Sequence, residues 1–166
     1  LVHRVEDLPS RLYVLVRDAS QSDALQKAFT HADQWQPPNG CPSQLDLYCL
    51  TEADTQQTAR EVSCAQDIAS DGCFSLGMIA EYEQPLERHG PCFYPRLFWE
   101  AGMVGQVLYL EAEAAAFEVL ARVFFDDDMH RLLGLQDRAY QDLYHFTVGG
   151  PIEDTRLTTL PAYPNE

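Results

Sequence analysis

One stretch of the chain, residues 97–116 (LFWEAGMVGQVLYLEAEAAA), has apolar side chains at positions that fall on every face of a helix. A helix that is apolar all round is typical of a protein core. Its glutamates and Gln106 interrupt the apolar run too often for a membrane span. The pattern therefore predicts a central buried helix, around which the rest of the chain is organised.

Small residues give one side of this helix a flat strip, formed by Ala101, Gly102 and Gly105. Another backbone, or a planar ligand, can come close to such a strip. Gln106 lies on the same strip, and its amide needs a partner if it is buried. Two interpretations stay open: an ordinary core helix, or a core helix that also forms the floor of a cofactor site.

Elsewhere the periodicity indicates strands mixed with short helices. Alternating or compact apolar runs predict four strands, at residues 12–16, 45–50, 74–82 and 143–148. Capping and turn residues predict helices at 22–29, 51–65 and 126–133, loops at 36–40 and 84–95, and an extended tail at 152–166. Gly77 predicts a bulge or the close approach of another group to the backbone. The mixture predicts an α+β fold, a sheet with helices packed over it, in a single domain over residues 1–166.

The composition is that of a globular protein, with 46% hydrophobic and 22% charged residues among 166. The net charge of −15 argues against binding to nucleic acid or anionic membranes, which both attract excess Lys and Arg. The five cysteines are widely spaced and form no Cys-x-x-Cys pair, so neither a disulfide framework nor a zinc site follows. We expect reduced thiols in a cytoplasmic protein without a metal.

The sequence contains no dinucleotide-binding, phosphate-loop, nucleophile-elbow or metal-binding motif. The polar residues that stand out each have a structural explanation. His145, inside a predicted strand, is interpreted as a hydrogen-bonded core or interface histidine, and the aspartates at 126–128 as the start of a helix. Taken one at a time, the residues therefore assign no catalytic group.

Four segments, taken together and in order, resemble the nitroreductase superfamily. They are SCAQDIASDGCFSLGMIAEYE (63–83), YPRLFWEAGMVGQVLYLEAEAA (94–115), FFDDDMHRLLGL (124–135) and LYHFTVGGPIEDTRLTTLPAY (143–163). A helix with an acidic-x-Gly-x-x-x-Gln core is followed by Phe-Asp-Asp, Leu-Leu-Gly and a closing Phe-Thr-Val-Gly-Gly-Pro. This order is similar to that of the thiazole/oxazole dehydrogenase branch and its tandem-domain relatives.

The resemblance implies an FMN-dependent oxidoreductase that passes hydride through flavin N5, with NAD(P)H or a substrate as the donor. In such enzymes the flavin carries the chemistry, and the protein orients it. The backbone at Phe124 and Phe125 would lie near N5, Gly102 and Gln106 would belong to the helix beside the ring, and Arg156 would hold the phosphate. The resemblance also implies a homodimer or pseudo-dimer acting on a small-molecule or peptide substrate.

The chain departs from the family at its start. Relatives open with an Arg-Arg-Ser segment that holds the FMN phosphate, and no such segment is present here. We therefore expect the chain to be the C-terminal portion of a nitroreductase-like domain, incomplete at the N-terminus.

A second departure lies at residues 116–123, AFEVLARV, where relatives have a glycine-rich turn before Phe-Phe-Asp-Asp. Suitable codons for this segment, read one base earlier, encode Gly-Leu-Arg-Gly-Thr-Gly-Thr-Gly, so we hypothesise a compensated frameshift in the gene or its recorded sequence. As written, the segment predicts a helical extension of residues 97–116 and weak or no FMN binding by this chain alone. The alternative function is a catalytically silent half-domain with a structural or partner-binding role.

Overall fold

The computed structural model describes residues 1–122, 124–150, 158 and 160. This part of the chain contains five strands: β1 (Leu12–Leu15), β2 (Leu47–Thr51), β3 (Phe74–Glu81), β4 (Glu118–Arg122) and β5 (Tyr140–Gly149). It also contains six α-helices: α1 (Ser22–Ala28), α2 (Gln56–Val62), α3 (Ile68–Asp71), α4 (Glu83–His89), α5 (Tyr94–Ala114) and α6 (Asp126–Leu133). The predicted α+β class is confirmed.

The strands form two small antiparallel sheets. β1 pairs with β2, and β5 lies between β3 and β4 in a three-stranded sheet. The larger hydrophobic cluster joins the β1–β2 sheet to α1, α2 and α6 through residues such as Leu12, Phe29, Leu50, Val62 and Leu133. A smaller cluster, built on Leu97, Ala101 and Leu143, lies between α5 and β5.

The two faces of β5 contact different helices because successive side chains of a strand point to opposite sides. On one face, Tyr144 packs against α5 at Gly105, and Phe146 makes an edge-to-face contact with Tyr109 of α5. On the other face, His145 contacts Phe124, which leads into α6. The sheet therefore separates α5 from the segment that precedes α6.

The predicted central helix is present as α5, but the prediction that it is buried on all sides is wrong for this chain. Only Leu97, Ala101, Gly105 and Ala112 are buried, and the first three lie against β5. The opposite side carries an outer stripe of exposed apolar residues, which we define as Trp99 (66% exposed), Met103 (64%), Val107 (57%) and Leu110 (62%). No element of the described chain covers the outer stripe, so half of the apolar pattern has no partner among the described residues.

The loop predicted at residues 84–95 is wrong. Residues Glu83–His89 form α4, and Pro91–Phe93 form a 3-10 turn that leads into α5. Pro85 lies in the first turn of α4 and Pro95 in the first turn of α5, where a missing N–H costs no intrahelical hydrogen bond. The prolines here start helices rather than prevent them.

The helical extension predicted over residues 116–123 is also wrong. α5 ends at Ala114, the chain turns at Ala116 with φ of 58°, and Glu118–Arg122 form β4 along the edge of β5. The hydroxyl of Tyr109 accepts a 3.0 Å hydrogen bond from the backbone N–H of Ala121, which ties the new strand back to α5. Pairing with β5 overrides the helical propensity of this segment.

The other predicted elements are present with shifted ends. The helix predicted from residue 51 begins at Gln56, since Thr51 still belongs to β2, and Asp54 accepts a hydrogen bond from the N–H of Gln56. The tail at 152–166, with Arg156, lies outside the described residues apart from positions 158 and 160. Among the helices described, none has the length and apolarity to cross a membrane.

Candidate functional site

The glycine strip of α5 divides into a packed part and an open part. A Cβ on Gly105 would lie 3.0 Å from the ring of Tyr144, so this glycine is needed for the close packing of α5 on β5. A Cβ on Gly102 would meet nothing within 4 Å. Gln106, one turn further on, is exposed. Gly102 and Gln106 therefore border open space on the same side of α5.

Phe124 and Phe125 are held in two different ways. The ring of Phe124 stacks on the imidazole of His145, with centroids 4.2 Å apart and planes 10° from parallel. The backbone N–H of Phe125 donates a 3.1 Å hydrogen bond to the carbonyl oxygen of Val62, at the end of α2, and its side chain is 52% exposed. The segment is thus pinned between the sheet and α2, with one aromatic ring turned outward.

The structure does not bring the four described candidate residues into one cluster. Gly102 and Gln106 lie on α5, over one face of the sheet, whereas the ring of Phe124 packs on the other face through His145. Arg156, the fifth candidate, lies outside the described residues. A cofactor that contacts both the α5 residues and the Phe124 segment of one chain has to pass around the β4 edge of the sheet. Otherwise one of the two groups has to come from a second chain.

A buried polar pair lies directly beneath Phe124. His145 Nε2 and Asp142 Oδ2 are 2.5 Å apart, and the side chains are 1% and 0% exposed. Burial raises the pKa of Asp142 above its ordinary value of 3.8, against the opposing effect of the hydrogen bond with His145. The interpretation of His145 as a hydrogen-bonded core histidine is confirmed.

The pair depends on a bulge that sequence reasoning only half anticipated. Residues three apart in a regular strand point to opposite faces, but Gly77 pairs with His145 and Ile79 with Asp142, so two residues of β3 span three of β5. A Cβ on Gly77 would lie 3.1 Å from His145 Nε2 and 3.4 Å from Asp142 Oδ1. Gly77 predicts a bulge or a place of close approach: the close approach is present, whereas the extra residue of the bulge lies on β5, next to the pairing of Gly77 with His145. Asp142 itself was missed, because its partner could be found only by knowing the register.

Two cavities have none of Gly102, Gln106, Phe124 and Phe125 in their lining. A cleft of about 500 Å³ runs between β1, β3 and α5, with apolar walls that include Leu12, Met78 and Val104. A shallower hollow of about 430 Å³ is lined by His31, Asp127, His130 and Arg131. Among the described residues no group of three or more His, Cys, Asp or Glu side chains could hold a metal, and all five cysteines are free thiols.

Comparison with solved structures relates the fold to nitroreductases. A protein of Anabaena variabilis, provisionally named as a nitroreductase, superposes with a TM-score of 0.59 at 22% identity over 64% of this chain and 22% of its own. The chain thus spans about a fifth of that protein. Similarly named proteins of Ralstonia eutropha (TM-score 0.53, 14% identity, 89% of this chain and 80% of that one) and Bacillus subtilis (0.52, 13%, 69% and 70%) also superpose.

No family profile and no curated protein matches the sequence. At these identities the superpositions define the architecture of the chain and leave its chemistry to be argued from its residues. The chain has the nitroreductase-like α+β fold.

Proposed function

We propose that the chain is the C-terminal portion of an FMN-dependent oxidoreductase of the nitroreductase type, closest to the thiazole/oxazole dehydrogenase branch. Three things support the proposal: the nitroreductase-like fold, the four ordered sequence segments, and the open strip at Gly102 and Gln106 on α5. NAD(P)H or the substrate is the proposed electron donor, and a small molecule or peptide the proposed substrate. The proposed location is the cytoplasm.

The observation that carries the proposal furthest is the outer stripe of α5. Four large apolar side chains, each more than half exposed, lie opposite the face that packs on the sheet. Exposed apolar patches of this kind mark interaction sites. We propose that a second copy, or a related half-domain in a pseudo-dimer, covers the stripe. That second chain would also bring its own site residues toward Gly102 and Gln106, which one chain alone leaves apart from Phe124.

The described residues fit the ring of a flavin better than its phosphate. Gly102 leaves room for a planar group because a Cβ there would meet nothing within 4 Å, and the exposed amide of Gln106 can both donate and accept hydrogen bonds. The half-exposed ring of Phe125 offers an apolar wall. FMN would supply the hydride chemistry when bound, and the proposed role of these side chains is to orient it and exclude water. Arg156 remains the proposed phosphate ligand.

The alternative, a catalytically silent half-domain, is favoured by three observations. The N–H of Phe125, close to where flavin N5 is proposed to lie, already donates to Val62. The segment before it forms β4 rather than a glycine-rich turn, and the net charge of −15 repels a dianionic phosphate. In a tandem or heteromeric protein such a half could support a working site on its partner.

A flavin titration separates the two functions. We expect the chain as written to bind FMN with micromolar or weaker affinity. The loss of a few charge-assisted hydrogen bonds, at about 1.5–3 kcal/mol each, lowers a nanomolar affinity to the micromolar range. A variant in which residues 116–123 are replaced by Gly-Leu-Arg-Gly-Thr-Gly-Thr-Gly should recover part of the affinity, measured by flavin fluorescence quenching. Ala116→Gly alone is the matched control, since it relieves the backbone at one position of the preceding turn and leaves β4 unchanged.

The outcomes differ clearly. Tight, stoichiometric FMN on the unmodified chain would show that the altered segment does not matter. A glycine-rich variant that binds no FMN, either alone or with the N-terminal half supplied, would favour the silent half-domain. The nucleotide sequence of the gene around residues 116–123 tests the frameshift hypothesis independently.

A further inference from the structure

The contact between Phe124 and the buried His145–Asp142 pair is not explained by packing alone. A hydrogen bond joins Asp142 Oδ2 and His145 Nε2, yet Asp142 Oδ1 and His145 Nδ1 have no hydrogen-bond partner among the described residues. A buried polar pair that leaves atoms unsatisfied adds little to stability compared with apolar residues of the same size. Its most direct structural effect is on the aromatic ring above it.

The hydrogen bond fixes the plane of the imidazole. A histidine ring held only by packing can turn about its last torsion, but Asp142 holds Nε2 at 2.5 Å and Gly77 leaves the space that this orientation needs. The ring of Phe124 then lies 10° from parallel to it. Pairs of aromatic rings depend strongly on their mutual orientation, so the orientation of the imidazole determines where Phe124 sits.

Phe124 in turn determines the path of the chain into α6. The next residue, Phe125, has its N–H bonded to Val62, and α6 begins one residue later at Asp126. The carbonyl oxygen of Phe125 accepts the N–H groups of Asp128 and Met129, which form the first turn of α6. A shift of Phe124 is therefore passed to the backbone of Phe125 within one peptide unit.

We propose that His145 and Asp142 are positioning residues, which hold the Phe124–Phe125 segment in place by orienting the imidazole on which Phe124 stacks. That the segment is presented to a flavin rests on the proposed function. The coupling between the imidazole orientation and the position of the segment does not. The sheet face beneath Phe124 thus sets the geometry of a segment that lies outside the sheet.

Hydrogen exchange at the Phe125 amide, followed by NMR on the chain without FMN, tests the coupling. His145→Ala should speed exchange at Phe125 by about tenfold or more relative to amides of β3, because opening of this segment no longer has to break the stack. His145→Phe should restore slow exchange only in part, since a phenyl ring can stack on Phe124 but lacks the hydrogen bond to Asp142 that fixes the plane of the imidazole. Asp142→Asn should give a smaller acceleration, of about threefold, because an amide still holds the imidazole.

Val148→Ala serves as the control for general loosening of β5, since Val148 is a buried residue of the same strand. It should accelerate exchange along β5 and β3 without singling out Phe125. Exchange at Phe125 that stays within about twofold of the wild type in His145→Ala, or that rises only in step with the sheet as in Val148→Ala, would overturn the proposal. If His145→Ala does not fold, the comparison of Asp142→Asn with Val148→Ala decides the question in the same way.

Flavin binding by the same variants keeps the two proposals separable. If exchange responds as expected but no form of the chain binds FMN, the positioning role stands and the proposed cofactor fails. If the glycine-rich variant binds FMN and His145→Ala changes neither exchange nor affinity, the cofactor stands and the positioning role fails.

Discussion

The outer stripe of α5 allows the sharpest test of assembly, by replacing Met103 and Val107 with glutamate. Complete burial of an aliphatic side chain contributes about 1.5–3 kcal/mol. Since 64% of Met103 and 57% of Val107 remain exposed, roughly 1–2 kcal/mol per residue is still available to a partner. In a symmetric pair each residue counts twice, so the double variant should weaken association by about 4–7 kcal/mol, or roughly 10³- to 10⁵-fold in Kd.

Sedimentation velocity at micromolar concentration should show a dimer for the wild type and a monomer for Met103→Glu/Val107→Glu. Gln44→Glu/Gln84→Glu is the matched control, because it adds the same charge at two exposed positions on other elements. Stability of the isolated chain should change little, since surface substitutions are usually within about 0.5 kcal/mol. A wild-type chain that is a monodisperse, well-folded monomer at this concentration would refute the reasoning for self-association and leave a different half-domain as the partner.

Two further predictions concern stability. Gly134→Ala should lower the free energy of unfolding by about 2–4 kcal/mol in urea, because φ is +73° and the added Cβ would lie 2.4 Å from Thr30 Oγ1. Gly40→Ala, with φ of +77° and nothing within 4 Å of the added Cβ, should lower it by about 1–2 kcal/mol. Equal losses would show that contact with Thr30 does not matter. Burial raises the pKa of Asp142 above 3.8, so the folded chain binds this proton more tightly than the unfolded chain, and stability falls as pH rises from 3.8 through the raised pKa. Asp142→Asn should lack that slope in urea titrations, and an identical pH profile would contradict a raised pKa.

The fold class and β1, β2, β3, β5, α1 and α6 follow from the sequence, because the strands are compact or alternating apolar runs and capping or turn residues mark the two helices. α5 shows where this reasoning stops. Its apolar pattern predicts burial on every side, but a pattern does not say whether the covering residues belong to the same chain. The sheet covers Ala101 and Gly105, and no described element covers Met103 or Val107.

The segments that were mispredicted were decided by neighbours distant in sequence or by position within an element. Residues 118–122 have helical propensity, but the free edge of β5 offers a full ladder of hydrogen bonds, which helix propensity of a few tenths of a kcal/mol per residue cannot outweigh. Pro85 and Pro95 predict a loop only while the helix starts are unknown, because a proline in the first turn is compatible with a helix.

The candidate site was predicted as residues rather than as geometry. The family resemblance named Gly102, Gln106, Phe124 and Phe125, and their binding to FMN stays a prediction. Neither the division between two sheet faces nor the Asp142–His145 pair could be read from spacing, because a bulge changes which residues of β5 share a face. Only Gly77 carried a sequence signal for it.

Ala116 offers a last test that links backbone strain to the altered segment. Its φ of 58° is left-handed, a conformation that costs an L-residue about 1–2 kcal/mol. Glycine adopts it freely but loses about 0.5–1 kcal/mol more entropy on folding, so Ala116→Gly should stabilise the chain by about 0.5–1 kcal/mol. Ala114→Gly, at the exposed last residue of α5, should instead destabilise it by about 0.5–1 kcal/mol. Urea unfolding of both variants provides the measurement.

A stabilised Ala116→Gly would mean that the turn after α5 favours glycine, which is the residue that the hypothesised alternative reading frame encodes at this position. A loss equal to that of Ala114→Gly would remove this physical support for the frameshift and leave β4 as the native form of the segment.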